Sequence, residues 1–101
     1  MKEFFVIGDK TSNSLSPIIF NHWFKKYNIK AKYNYVEVQN KNFDKAIKQK
    51  VSDKSVFGFN VTIPYKKSII KHLDTQTKHA IKIGAVNCVT VRRKKTGINT
   101  D

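Results

Sequence analysis

A chain of 101 residues is long enough for one domain, and a hydrophobic share of 40% with 12% aromatics excludes a disordered tail. No apolar run approaches the ~20 residues of a membrane span, and the single cysteine, Cys88, excludes an intrachain disulfide or a Cys-rich zinc site and fits a reducing cytoplasm. The net charge of +13, from 20 basic against 7 acidic residues, suits an anionic ligand better than a nucleic acid: the lysines are spread from Lys2 to Lys95 and only Arg92 and Arg93 offer the fork that base readout favours.

Residues 4–8 form an apolar run that ends in Gly8 and reads as a buried strand. A polar stretch, 9–16, leads into a helix with Ser16 as N-cap and Pro17 at the first helical position. Ile19, Phe20, Trp23, Phe24 and Tyr27 recur at helical spacing and predict its buried face. Residues 31–38 are β-rich and predict a second strand. Phe43, Ala46, Ile47 and Val51 predict a helix over 42–51. Residues 56–62 make a third strand, ended by Pro64, with a helix running on to about Leu73. Residues 74–77 break that helix, and 77–83 add a turn or two that Gly84 terminates. Residues 88–92 read as a strand, 94–97 as a turn, and 98–101 as the start of another strand.

Strand–helix–strand–helix–strand order predicts an α/β fold of three layers, with a mainly parallel sheet flanked by helices. A short turn between the last two strands predicts an antiparallel hairpin near the C-terminus. There is no internal repeat or linker, so residues 1–101 read as one domain.

Four segments look unusual for structure alone. Ser14 and Ser16 flank Leu15 after the first strand, at a helix start that favours anions, and could hold a carboxylate; plain capping, with Ser16 as N-cap and Ser14 filling the loop, is the reading the residues alone favour. Asn60 and Thr62 share one side of an otherwise apolar strand, and Pro64 sets Lys66 near its end. A partly desolvated lysine there could transfer protons, whereas by composition alone it is one surface lysine among many. Asn87 either bonds a ligand hydroxyl or caps a turn. Asn99, Thr100 and Asp101 end an apolar strand with polar groups, as a site or as a turn. Cys88 reads as a small core residue. His22, His72 and His79 read as surface positions without metal-ligand spacing.

In this order and at these spacings, Ser-Leu-Ser-Pro (14–17), Asn-Val-Thr-Ile-Pro-Tyr-Lys (60–66), Gly-Ala-Val-Asn (84–87) and Asn-Thr-Asp (99–101) resemble the shikimate dehydrogenases. The resemblance spans the whole chain; Cys88 stands where members often carry threonine. It implies the substrate-binding domain of an enzyme that reversibly reduces 3-dehydroshikimate to shikimate with NADP in aromatic amino-acid biosynthesis. It implies that Ser14 and Ser16 hold the substrate carboxylate, and that Asn60, Thr62, Asn87 and Asp101 bind ring hydroxyls. Lys66 and Asp101 would be the catalytic pair.

The four glycines, Gly8, Gly58, Gly84 and Gly97, include no Gly-x-Gly pair, so no dinucleotide fingerprint is present. The 101 residues therefore read as an isolated N-terminal domain without the NADP-binding Rossmann domain, inactive alone and binding no cofactor or metal. Weak shikimate binding and self-association through exposed apolar surface are expected of it; nucleic acid and membrane partners are not. The rival readings are a quinate/shikimate dehydrogenase fragment, a stand-alone shikimate-sensing domain, and a small basic nucleic-acid-binding module that would show strongly salt-dependent binding.

Overall fold

The computed structural model describes residues 1–91 and 94–100. Its elements are β1 (Lys2–Gly8), α1 (Ser16–Lys26), β2 (Ala31–Glu37), α2 (Asn40–Val51), β3 (Val56–Val61), a 3-10 helix (Ser68–His72), β4 (Thr75–Gln76), α3 (Lys78–Ile83), β5 (Cys88–Val91) and β6 (Lys95–Ile98). The strands form one sheet in the order β2-β1-β3-β5-β6-β4. β1 runs parallel to β2 and to β3, and β4 parallel to β6. β5 is antiparallel to both β3 and β6, which gives the expected hairpin. The α/β fold with a mixed, mainly parallel sheet is as the sequence predicted.

Alternation along β1 explains the layering. Phe5 and Ile7 point to one face and join Phe43 and Ile47 of α2, Phe59 and Val61 of β3, Tyr65, Ile69 and Val86 in a single buried cluster. Phe43 and Ile47 lie one helical turn apart, and Phe43 stacks on Tyr65 with centroids 4.1 Å apart. On the other face, Phe4 meets Phe24 of α1 at 5.8 Å and Tyr33 of β2 stacks on Phe20 at 5.1 Å. Helix α3 begins with Thr77 accepting from the Ala80 amide and ends at Gly84, which takes the left-handed φ of 78° that favours glycine.

Several local expectations are corrected. Leu15, not Ser16, is the N-cap of α1; Ser16 is its first residue, and no side chain caps it. The predicted buried face of α1 is only half covered: Phe20 and Phe24 pack on the sheet, but Ile19, Trp23 and Tyr27 remain 42%, 48% and 64% exposed. Periodicity shows which residues share a face, but not whether anything lies opposite it.

The helix expected after Pro64 is a turn and then a short 3-10 helix, because Tyr65 and Ile69 are both drawn fully into the core within one tight connector. Residues 75–76 pair with β6 instead of merely breaking a helix. Lys95, Thr96 and Gly97, expected in the hairpin turn, lie within β6. A Cβ on Gly97 would sit 2.5 Å from Leu73 Cδ1 and 2.8 Å from Val86 Cγ2, so this glycine serves close packing and not a turn. His72 is also not a surface group: its side chain is 10% exposed and pairs with Asp44 at 2.8 Å.

Candidate functional site at the strand ends

β1, β2, β3 and β6 all point their C-terminal ends toward one end of the sheet, and β5 starts there because it runs the other way. In a parallel sheet this end forms the ligand crevice. The register places Gly8 beside Glu37, Ile7 beside Val61, Asn60 opposite Cys88, and Cys88 opposite Ile98. Segments 9–16, 62–67, 84–87 and 99–100 emerge at this end. They carry all the candidate residues except Asn60, which lies in the last turn of β3, and Asp101, which lies outside the described residues.

Backbone bonds tie these segments together. The Thr62 amide donates to the Ile7 carbonyl at 2.9 Å, and the Val61 amide to the Asn87 carbonyl at 2.9 Å. The Asn87 amide donates to Ile98 at 3.1 Å, and the Val86 amide to the Lys66 carbonyl at 2.8 Å. Lys66 thus leaves the β3 turn beside the 84–87 segment, on a backbone anchored next door by Tyr65, whose hydroxyl donates to the Val38 carbonyl. The Ile63–Pro64 peptide is cis. Gly8 makes the close approach between the first and third segments possible, since a Cβ there would collide with the Thr62 methyl.

Side chains complete the arrangement. Asn60 accepts from the Tyr33 hydroxyl and donates from Nδ2 toward the Asn87 carbonyl at 3.4 Å. Asn87 exchanges two bonds with Thr100: its Nδ2 donates to Thr100 Oγ1 at 2.9 Å and its Oδ1 accepts the Thr100 amide at 3.2 Å. The Ser16 amide donates to Ser14 Oγ at 3.3 Å, which brings the two serines into one turn. Burial pushes the Tyr33 phenol up to about 12, with a hydrogen bond to Ser16 opposing that shift and the nearby Cys88 adding to it. Ser14, Ser16, Asn60, Thr62, Lys66 and Asn87 are all partly buried, neither sealed in the core nor fully solvated.

Cys88 differs from its expectation. It sits across from Asn60 and lines an apolar groove of about 280 Å³ beside α1, with Phe4, Phe20, Phe24 and Val89, rather than the closed core. Burial pushes its thiol up, which makes it a poor nucleophile. No His, Cys, Asp and Glu cluster able to hold a metal occurs among the described residues, and none of their helices is long and apolar enough to cross a membrane.

Comparison with known proteins identifies the family. Residues 6–89 match the family model described as the shikimate dehydrogenase substrate binding domain. The chain belongs to this family. A shikimate dehydrogenase (NADP(+)) of Staphylococcus epidermidis is 43% identical over 100 residues, covering 98% of this chain and 37% of its own length. The crystal structure of shikimate dehydrogenase 1 from Peptoclostridium difficile superposes with a TM-score of 0.90 at 36% identity, over 99% of this chain and 37% of that one. The Listeria monocytogenes shikimate 5-dehydrogenase, solved with shikimate and NAD, gives a TM-score of 0.93 at 30% identity, over 100% of this chain and 35% of that one. The chain thus spans a little over a third of the length of these shikimate dehydrogenase relatives.

Tyr33, Tyr35 and Glu37, which the sequence did not mark, also bond to the segments that carry the candidate residues. Their signal is polar and aromatic groups at every second position of a strand that leads into the crevice.

Proposed function

We propose that this domain binds shikimate and 3-dehydroshikimate for an NADP-dependent shikimate dehydrogenase, in a reducing cytoplasm. The observation that carries the reading is the convergence of Ser14, Ser16, Asn60, Thr62, Lys66 and Asn87 on one end of the sheet. The two serines, at the start of α1, hold the substrate carboxylate by hydrogen bonds from their hydroxyls, within the positive field of a +13 chain. Asn60, Thr62, Asn87 and Asp101 bind ring hydroxyls. Lys66 and Asp101 stand at the carbon that is oxidised or reduced: the alcohol oxygen loses its proton as hydride leaves and regains it in the reverse direction, and a lysine beside a carboxylate moves that proton.

The 101 residues do not fit a dinucleotide. The loop after β1, where a nucleotide-binding fold carries its glycine turn, is 9–15 here and contains no glycine. NADPH would supply the hydride for reduction and NADP+ would accept it in the reverse direction, held by residues other than these 101. The 101 residues alone then bind substrate without turning it over. NMR titration with millimolar shikimate should shift resonances of Ser14, Thr62 and Asn87, with no NADP-dependent turnover by the same sample. Unchanged spectra would overturn the binding reading, and turnover would overturn the inactivity. Quinate in a parallel titration separates a shikimate enzyme from a quinate/shikimate one. The half-covered α1 face supports self-association, and light scattering that shows only monomer at high concentration would refute it.

A further inference from the structure

β2 approaches the crevice with three side chains on one face, Tyr33, Tyr35 and Glu37, spaced two residues apart. Each reaches a different part of the site. The Tyr33 hydroxyl donates to Asn60 Oδ1. The Tyr35 hydroxyl donates to the Ser14 carbonyl at 3.2 Å. The Glu37 carboxylate accepts the Thr11 and Ser12 amides, both at 2.8 Å, on the loop that carries Ser14. Besides these contacts, that loop is held by the Ser14 amide donating to the Thr11 carbonyl at 2.9 Å and the Asp9 amide to the Ile63 carbonyl at 3.3 Å.

We infer that Tyr33, Tyr35 and Glu37 form a positioning ladder on β2, setting the serine loop and the Asn60 amide for substrate; this deepens the proposed function and rests on it. The chemistry at Asn60 is specific. With one Oδ1 lone pair taken by the Tyr33 hydroxyl and one Nδ2 hydrogen turned toward the Asn87 carbonyl, the Asn60 amide is held in one orientation and keeps its second N–H for an acceptor oxygen of the substrate. Glu37 pairs with no cation among the described residues. Its charge is spent on two backbone N–H groups, an arrangement that holds a loop in one conformation. The bonds from Ser12 and Thr11 lower the Glu37 carboxyl from its ordinary value. The ladder touches no substrate atom itself; it acts through Ser14, Ser16 and Asn60.

The test is shikimate affinity, by NMR titration, for the wild-type chain and for Tyr33→Phe, Glu37→Ala and Glu37→Gln, with melting curves alongside. Tyr33→Phe keeps the ring stacked on Phe20 and removes only the hydroxyl; it should weaken binding roughly five- to tenfold, the weight of one hydrogen bond. Glu37→Ala should weaken it tenfold or more, and Glu37→Gln, which keeps an acceptor oxygen, should recover most of that loss. In an Asn60→Ala background Tyr33→Phe should cost nothing further, because it acts through the missing amide. Equal losses in both backgrounds, or wild-type affinity in Tyr33→Phe and Glu37→Ala, would overturn the ladder while leaving the proposed function intact. Absence of shikimate binding by the wild type would overturn the proposed function and the ladder with it. If Tyr33→Phe does not fold, the ligand-free wild type still decides: a slowly exchanging Tyr33 hydroxyl proton with contacts to the Asn60 amide protons is expected, and its absence rejects the ladder.

Discussion

The two faces of the sheet are built to different standards. On the α2 face, Phe5, Ile7, Phe43, Ile47, Phe59, Val61, Tyr65 and Ile69 are all at most 3% exposed. On the α1 face, one helix covers only the β1–β2 side; Trp23 is 48% exposed, and a groove remains open over β3 and β5. The closed face anchors the fold, and the site sits at the rim where the two faces meet. The half-covered face still contributes to the site: β2, beneath α1, carries Tyr33, Tyr35 and Glu37 to it. Stability and positioning are therefore largely assigned to different sides of one sheet.

That contrast makes unequal predictions. The largest effect belongs to the closed face: Phe43→Ala should cost about 3–5 kcal/mol and Ile47→Ala about 2–5 kcal/mol, measured by denaturant unfolding. Loss below 1 kcal/mol would mean that this face is not the anchor. Gly97→Ala should cost about 1–3 kcal/mol by overpacking Leu73 and Val86.

A further effect is acid sensitivity. Asp44 is lowered chiefly by its bond with His72, then Lys71; Asp74 chiefly by the Lys95 amide; Asp53 chiefly by the Ser55 side chain. A depressed folded pKa means the unfolded chain takes up protons first. The stability these groups contribute is thus full above the ordinary aspartate range near 3.8 and is lost as pH falls through the lower folded values. Melting temperature should fall on acidification below about pH 4, and Asp44→Asn should flatten part of that fall; a profile identical to wild type would remove Asp44 from the account. The smallest effect should come from the open face: Trp23→Ala should change stability by less than about 0.5 kcal/mol, since the ring meets mainly Phe20 and solvent. A large loss there would erase the contrast between the faces.

Much of the architecture was legible in the residues. The run at 4–8, the helical spacing of Phe43 and Ile47, the strand at 56–62 and the Gly84 stop all depend on local periodicity and backbone preference, which a short window of sequence contains. The candidate set Ser14, Ser16, Asn60, Thr62, Lys66 and Asn87 does not follow from such a window: locally each reads as well as a cap, a turn or a surface group, and what marked the set was four short motifs in the order that resembles the shikimate dehydrogenases. Those marks say which groups are present, but not how they are held.

Tertiary structure decided the rest. Gly97 carries the same letter in a turn and in a tightly packed strand, and only the nearness of Leu73 and Val86 tells the two apart. The apolar stripe of α1 predicts a buried face, but burial depends on what stands opposite, and Trp23 is left 48% exposed. Tyr33 and Glu37 look like ordinary strand residues until the register of β2 against β1 brings them to the serine loop and to Asn60. The sequence by itself determined most of the elements, from β1 to β3 and the Gly84 stop, because those follow from local pattern. Which side chains hold the candidate polar groups in place depends on contacts between residues 21 or more positions apart, such as Tyr35 with Ser14 and Tyr33 with Asn60, and only the folded sheet sets those.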